Sequence, residues 1–156
     1  MKFTDSNKIL FVVESQGITN FLGVFAADEL CKLGKNQLGV LIVNTDPSHL
    51  SGEHWISIYL DRADIYFYDP LSLNIYKSKY FDVFLLRMNK VLHVNTLQIQ
   101  NVNSVMCGYH ALVFCYVMSK GGSERRFKSF LKSFTPYNVI KREQLSLTYY
   151  SLIWKK

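Results

Sequence analysis

The spacing of hydrophobic residues along the chain predicts which segments form strands and which form helices. A continuous apolar run at Gly39–Asn44 is typical of a buried strand. Trp55–Leu60 alternates between apolar and polar residues, and a second β-rich run follows at residues 65–68 after a short turn. This pair predicts a β-hairpin, which Pro70 ends because proline cannot donate a hydrogen bond to a sheet. We therefore expect a small sheet near the centre of the chain.

Helical patterns occupy most of the remaining chain. In residues 75–92, Tyr76, Tyr80, Phe84 and Met88 recur at a spacing of four, which indicates an apolar helix face. This order of elements predicts an α+β fold, in which a small mixed β-sheet packs against helices. The other predicted elements are helices at residues 4–15 (with Thr4 or Asp5 near the N-cap), 26–33, 107–120, 123–134 and 141–154, and a strand at residues 94–100.

The length and composition fit one domain that comprises residues 1–156. Of these residues, 49% are hydrophobic and 15% are aromatic, which is enough for a core. The sequence shows neither the pattern of a secretory signal nor an apolar run of the roughly 18 residues that span a bilayer. We therefore expect a soluble, intracellular monomer that has no membrane partner.

The cysteine count indicates reduced thiols. There are three cysteines, Cys31, Cys107 and Cys115, and an odd number argues against a disulfide framework. Neither the cysteines nor the four histidines have the spacing of metal ligands. The sequence therefore predicts no metal and no cofactor. It also favours a reducing compartment, which suits a catalytic thiolate.

A positive charge is concentrated late in the chain. The net charge is +6 and the isoelectric point is about 9.2. A basic surface attracts nucleic acid or acidic partners, so the C-terminal half is a possible DNA surface. No nucleic-acid motif accompanies the charge, and an ordinary solvated surface is the alternative. The late basic residues are Lys120, Arg125, Arg126, Lys128, Lys132, Lys141, Arg142, Lys155 and Lys156.

Cys107 is the candidate nucleophile. It follows a polar loop and begins an apolar helix, and the positive end of a helix dipole favours a thiolate. Gly108 comes next and allows a substrate to approach closely. Cys115 lies in the middle of the same predicted helix, where we expect it to be buried. Cys31 is expected to be structural or exposed.

His54 is the candidate base. It precedes the strand that begins at Trp55, and the indole of Trp55 is positioned to shield a His54–Cys107 pair from water. A catalytic histidine needs an acceptor for its second nitrogen. If the hairpin turns near Arg62, Asp69 returns to within about one residue of facing His54. His110, one turn after Cys107, is a rival base, although it points away from the helix N-terminus.

Donors for an oxyanion are also available. The backbone N–H of Cys107 is one candidate because it lies at a helix N-terminus. Gln100, which we place at the end of the predicted strand, is seven residues before Cys107 and supplies a side-chain N–H. Gln98 is the alternative, although it lies farther from the cysteine.

Four segments resemble the adenovirus protease family, the adenain-like cysteine peptidases, which share a fold with the deSUMOylating peptidases. They cover roughly residues 21–118. The chain is shorter than the adenovirus enzymes, and the region after the nucleophile helix does not match. The segments are Phe21-Leu22-Gly23-Val24-Phe25, then Ile42-Val43-Asn44-Thr45 with His54-Trp55 eight residues later, then Tyr68-Asp69-Pro70, and finally residues 100–108.

The resemblance implies a role for each matching residue. Cys107 at the N-terminus of a buried central helix would be the nucleophile, and His54 the general base. Asp69 would be the third member of the triad, where adenovirus enzymes tend to have glutamate and related peptidases aspartate. Gln100 would belong to the oxyanion hole. Trp55 and Gly108 would line a narrow substrate groove.

The resemblance also implies a function. We expect a cysteine endopeptidase that cuts viral precursor proteins after small residues such as glycine, in the host nucleus or the virion, or in a virus-like element. Adenovirus enzymes are helped by DNA and a short peptide, so either is a possible activator here. The alternatives are a peptidase for ubiquitin-like modifiers, an acetyltransferase of the same fold and an inactive binding module. The presence of all four matching residues argues against the last of these.

Overall fold

Five strands form one mixed sheet, and they lie in the sheet in the same order as in the chain. Residues 5–154 are described in the structure, which is a computed structural model. The first and last strand pairs are parallel and the two central pairs are antiparallel. The predicted mixed sheet is confirmed, with one more strand than expected. The strands are β1 (Phe21–Phe25), β2 (Gly39–Asn44), β3 (Trp55–Leu60), β4 (Asp64–Tyr68) and β5 (Val91–Val94).

Within residues 5–154, five α-helices and two short 3₁₀ helices surround this sheet. The first helix begins after Asp5, whose side chain accepts a hydrogen bond from the backbone N–H of Lys8. Thr4, the other candidate cap, lies outside the described residues. The α-helices are α1 (Ser6–Ser15), α2 (Lys79–Met88), α3 (Cys107–Ser119), α4 (Glu124–Lys132) and α5 (Val139–Ile153), and the 3₁₀ helices are Ala27–Lys32 and Ile75–Lys77.

Helices cover both faces of the sheet. On one face, α1, α3 and α4 pack against residues such as Ile42 and Tyr68. On the other face, α2 and the first 3₁₀ helix pack against Leu41 and Phe67. Even Ser57, a polar position of β3, is therefore fully buried. The alternating pattern of β3 predicts the strand correctly, but this strand has no solvent-facing side.

The predicted central helix is α3, and it is the most deeply buried helix of the fold. The side chains of Ala111, Leu112, Val113, Phe114 and Cys115 are all fully buried. A helix that is apolar on every side needs neighbours on every side. The sheet covers one side of α3, while α1, α4 and α5 cover the others.

The predicted helix at residues 75–92 and the strand at 94–100 are each wrong in part. The helix ends at Met88, because Asn89 adopts a left-handed conformation (φ 51°) that stops it. The chain then forms β5, which pairs in parallel with β4. Residues 95–100 form a loop, so Gln100 does not lie at a strand end. His93, the residue that follows the predicted helix, lies in β5, and its Nε2 is 2.8 Å from Oδ1 of Asp64.

β1 was not predicted, and Gly39 explains how it joins the sheet. Every residue of β1 is half-buried and its partner is parallel to it, so neither alternation nor a hairpin marks it. The backbone of Gly39 has a φ of 141° where β2 begins. A Cβ atom at this position would overlap the carbonyl oxygen of Asn20. Only glycine therefore permits the close approach of the two strands.

The helices of residues 5–154 include none that is both long enough and apolar enough to cross a membrane.

Replacing Gly39 by alanine is expected to destabilise the fold. Strain at a φ that alanine rarely adopts costs about 1–3 kcal/mol, and the overlap with Asn20 adds to it. Urea unfolding measures the loss. Gly34→Ala is the matched control, since its Cβ would meet no atom closer than 3.7 Å and its expected effect is under about 1 kcal/mol. Equal losses in the two variants would contradict this account of β1.

Candidate active site

His54 and Asp69 meet at the open end of the β3–β4 hairpin. The observed register pairs Ser57 with Tyr68, so one further step places Asp69 opposite Ile56, two residues from His54. The Nε2 atom of His54 lies 2.6 Å from Oδ1 of Asp69. Both residues are buried, at 8% and 2% exposure. The contact predicted from the hairpin is therefore present.

Neighbouring backbone groups hold the Asp69 carboxylate in one orientation. Its Oδ1 accepts the N–H of Leu71 and its Oδ2 the N–H of Leu73, each at 2.9 Å. The buried side chain of Asn95 accepts the Asp69 N–H at 2.9 Å and donates to the Asp69 carbonyl at 2.7 Å. Hydrogen bonds therefore hold both the side chain and the backbone of Asp69, the acceptor for His54, in place.

The surroundings of His54 favour its protonated form. Burial lowers the pKa of an imidazole because it removes water from the charged form. Hydrogen bonds with Asp69 and Cys107, and the negative charges that these two groups carry when ionised, act in the opposite direction and are stronger. The net result raises the pKa of His54 from 6.5 to about 9. Since Nε2 faces Asp69, Nδ1 is the nitrogen left for the Cys107 sulfur.

Cys107 is the first residue of α3 and is 2% exposed. The first N–H groups of a helix have no partner inside it. Here the N–H groups of Tyr109 and His110 both reach the carbonyl of Met106. Within residues 5–154, the N–H groups of Cys107 and Gly108 have no hydrogen-bond acceptor. Two free donors therefore lie beside the sulfur, at the positive end of the helix dipole.

Gln100 lies in the loop that leads to α3, where it is 1% exposed. Its Nε2 donates to the carbonyl of Ser104 at 2.8 Å, and its Oε1 has no hydrogen-bond partner within the described residues. An amide nitrogen carries two hydrogens, so one remains available. Gln98, the alternative, donates to the carbonyl of Gln100 at 2.8 Å and so supports its backbone.

The predicted groove residues lie on two sides of this centre. Trp55 is 5% exposed and lines a cleft of about 470 Å³ between the β2–β3 loop and the start of α1. Gly108 is buried as the second residue of α3. A larger cavity of about 700 Å³ lies between α4 and α5, and neither His54 nor Cys107 lines it. No group of three or more His, Cys, Asp or Glu residues in 5–154 is placed to hold a metal ion.

Comparison with known proteins assigns the chain to a family. Residues 21–139, well over half of the chain, match the adenovirus endoprotease family. This chain belongs to the adenovirus endoprotease family of cysteine peptidases. The residues proposed above for chemistry all fall within the matched segment.

A solved structure is also similar. It is the crystal structure of a protease from African swine fever virus (ASFV), with 16% sequence identity and a TM-score of 0.42. The match covers 74% of this chain but 43% of the ASFV chain, so the present chain spans less than half the length of that protease. No curated protein matches the sequence.

Within this adenovirus endoprotease fold, Cys31, Cys115 and His110 lie in surroundings that do not suit the proposed chemistry. The fully buried Cys115 lies in the core, and burial raises the pKa of its thiol. Cys31 is exposed, and its thiol donates to the carbonyl of Asp28. His110, the rival base, is fully buried and its Nδ1 lies 2.7 Å from the Ser146 hydroxyl of α5. These contacts leave His54 beside Cys107.

Two supporting residues were not predicted from the sequence. Asn95 clamps Asp69, and Glu143 of α5 accepts the backbone N–H of Asn101 at 3.1 Å. Burial raises the pKa of Glu143. Its hydrogen bonds with His110 and Ser104 lower this pKa by more than burial raises it, so the pKa is lowered overall. Glu143 thus ties the loop that carries Gln100 to α5. The one sequence signal is that Glu143 is the only acidic residue of its predicted helix.

The raised pKa of His54 predicts a loss of stability at alkaline pH. A group whose pKa is higher in the folded state than in the unfolded state stabilises the fold fully below the unfolded pKa, and this contribution disappears as pH rises through the folded pKa. For His54 the window runs from about 6.5 to about 9. The free energy of unfolding should fall by about 3 kcal/mol across it, measured by urea unfolding at several pH values.

Asp69→Asn is the matched variant for this pH dependence. It keeps the size of the side chain but removes the charge that raises the pKa of His54. The NMR titration midpoint of His54 should therefore fall below that of the wild type, and the alkaline loss of stability should shrink. An unchanged midpoint in Asp69→Asn would show that the carboxylate does not set the protonation of His54.

Proposed function

We propose that this chain is a cysteine endopeptidase that uses Cys107 as nucleophile, His54 as general base and Asp69 as the residue that orients the base. The observation that carries this proposal is the pair of interactions at one imidazole. His54 bonds the buried Asp69 at 2.6 Å, and Cys107 lies near enough to the same imidazole to raise its pKa. A nucleophile and a base within hydrogen-bond reach, with the base held by a third group, are what nucleophilic catalysis requires.

Protonation of His54 prepares the sulfur for attack. With a pKa of about 9, the imidazole is able to take the thiol proton of Cys107 at neutral pH, and the sulfur that it deprotonates is the nucleophile. The sulfur attacks the carbonyl carbon of the substrate, and the electron pair of that carbonyl moves to its oxygen. His54 next gives its proton to the leaving amine, and the acyl chain stays on sulfur. Water, deprotonated by His54, then releases the acid and restores Cys107.

The negative oxygen of the intermediate needs preorganised donors. The free backbone N–H of Cys107 is one donor, at the start of α3. We assign the second to the remaining N–H of Gln100, whose other hydrogen bonds the Ser104 carbonyl. That bond fixes the amide orientation, because a reversed amide would place two acceptors against each other.

Small residues before the cleaved bond are the proposed specificity. The indole of Trp55 lies next to His54 and is almost entirely buried, so it leaves little room for a side chain near the sulfur. Gly108, on the α3 side of the groove, is expected to limit the size of the substrate residue in the same way. The proposed substrates are viral precursor proteins that are cut after glycine, in the course of virion maturation.

A peptidase for ubiquitin-like modifiers is the second candidate, because the same centre would cut after a terminal glycine. Glycine-glycine peptides and ubiquitin-like conjugates, offered side by side, separate the two functions. An acetyltransferase would form the same acyl-cysteine, and transfer of label from acetyl-CoA would identify it.

DNA is a proposed activator or partner. Helix α4 carries Arg125, Arg126, Lys128 and Lys132, of which only Lys128 forms an ion pair within the described residues, with Glu124 at 2.7 Å. Such a surface suits a polyanion. Activity that is the same with and without DNA at low salt would rule this out.

Replacing Cys107 by alanine is expected to abolish peptide cleavage, with a loss of about 10⁴-fold or more in kcat, without unfolding the protein. Cys115→Ala is the matched control in the same helix and should keep most of the activity. A vinyl sulfone peptide that ends in glycine, followed by mass mapping, should modify Cys107. Labelling of Cys31 or Cys115 instead would show that the nucleophile is assigned wrongly.

Replacing Gln100 by alanine is expected to lower kcat by about 10²–10³-fold, the usual effect of losing one oxyanion donor. KM should change little, because the donor acts mainly after the carbonyl oxygen becomes charged. Gln98→Ala is the control, since its amide bonds only the Gln100 backbone. If Gln98→Ala lowered kcat more than Gln100→Ala, the second donor would be misassigned.

A further inference from the structure

The cleft beside Trp55 has an acidic wall in a basic protein. Asp5, Glu29 and Asp46 line it, and none of its lining residues within 5–154 is a lysine or arginine. Glu29 is paired with Lys32 at 2.9 Å. Within residues 5–154, neither Asp5 nor Asp46 takes part in an ion pair. The whole chain has a net charge of +6, so the charge of this cleft is opposite in sign to that of the protein.

The side chains of Asp5 and Asp46 differ in their hydrogen bonds. Asp5 caps α1, and one of its oxygens accepts the N–H of Lys8. The side chain of Asp46 has no hydrogen bond within the described residues, although its backbone is fixed by the Ala27 N–H and by Asn44. Asp46 is therefore a half-buried carboxylate whose backbone is held in place and which pairs with no cation of residues 5–154.

The side chain of Asn44 is a second, independent observation that points to a ligand in this cleft. It is 7% exposed and lines the same cleft. Its Oδ1 accepts the N–H of Asp46 at 2.9 Å, but its Nδ2 has no acceptor within residues 5–154. The side chain is therefore more than nine-tenths buried while its amide N–H groups remain unpaired within these residues, and a ligand carbonyl in the cleft would accept one of them.

Gly52 keeps the Asn44 amide accessible. Its φ is 83°, and a Cβ at this position would lie 2.5 Å from the Asn44 Nδ2. Any other residue would therefore fill the space in front of that nitrogen. Asn44 is also the register partner of Trp55, so the free amide and the indole lie side by side at the end of the sheet. The cleft is thus continuous with the residues beside His54.

We propose that this cleft binds the substrate segment that precedes the cleaved bond, with Asn44 donating to a substrate carbonyl and Asp46 selecting a lysine or arginine side chain. This rests on the proposed function, because it takes the glycine of the substrate to lie beside Trp55. The cleft then receives an extended peptide that is small near the cleaved bond and basic farther from it. Asp46 acts on the side chain, whereas Asn44 acts on the backbone.

A panel of glycine-ending peptides tests the selection. Each peptide carries lysine, glutamine or glutamate at one of the positions two to five residues before the cleaved bond, or at the matching positions after it. Cleavage by the wild type gives kcat/KM, and fluorescence anisotropy with Cys107→Ala gives binding. At one position before the bond, lysine should exceed glutamine by about three- to tenfold, which is the range expected for a partly exposed ion pair.

Three variants separate the roles of the cleft residues. Asp46→Asn should remove most of the preference for lysine over glutamine. Glu14→Gln, which removes an equal charge at the far end of α1, should keep it. Asn44→Asp preserves the acceptor for the Asp46 N–H but loses the donor, so it should raise KM for the uncharged glutamine series with little change in kcat. Circular dichroism checks that each variant is folded.

The outcomes distinguish this inference from the proposed function. Cleavage without a lysine preference, a preference only after the cleaved bond, or an equal preference in Asp46→Asn would overturn the inference and leave the peptidase assignment intact. Binding of lysine peptides that depends on Asp46, with no cleavage by the wild type, would support the cleft and overturn the peptidase assignment.

Discussion

The buried hydrogen bond between His54 and Asp69 decides the chemical state of the whole candidate site. Moving an imidazole out of water lowers its pKa, and burial alone would leave His54 neutral. The pKa is instead raised to about 9, so the carboxylate and the neighbouring sulfur outweigh the desolvation. A buried pair of this kind is costly if one partner is lost, because the other remains charged without compensation. The site therefore depends on Asp69 being held in place.

The part of the chain that holds Asp69 also positions the loop that carries Gln100. Asn95 clamps the Asp69 backbone, and the N–H groups of Ile99 and Gln100 both bond the carbonyl of Pro70. The loop between β5 and α3 is thus attached to the two residues that follow β4. A shift of Asp69 would move Gln100 as well, and Glu143 restrains the same loop from α5. His54, Asp69 and Gln100 are thus held together by one connected set of hydrogen bonds.

The sequence was most informative where one local pattern determines one local structure. The β3–β4 hairpin followed from alternation and a short turn, and its register brought Asp69 to His54. The start of α3 followed from a polar loop before an apolar run. β1 and β5 were missed because each pairs in parallel with a strand distant in sequence, and parallel pairing leaves no turn signal. Asn95 and Glu143 were missed for a related reason, since their partners are set by tertiary packing.

The charge of the protein illustrates the difference between composition and placement. The excess of lysine and arginine predicts a basic surface, yet the cleft beside Trp55 is lined by carboxylates. At physiological ionic strength, charges on the surface are screened over about 8 Å. A peptide in the cleft therefore interacts chiefly with Asp46 and its neighbours, while the basic residues of α4 act on whatever contacts that helix. One chain can thus attract a cationic segment at its cleft and an anionic partner elsewhere, because each is governed by its nearest charges rather than by the net charge.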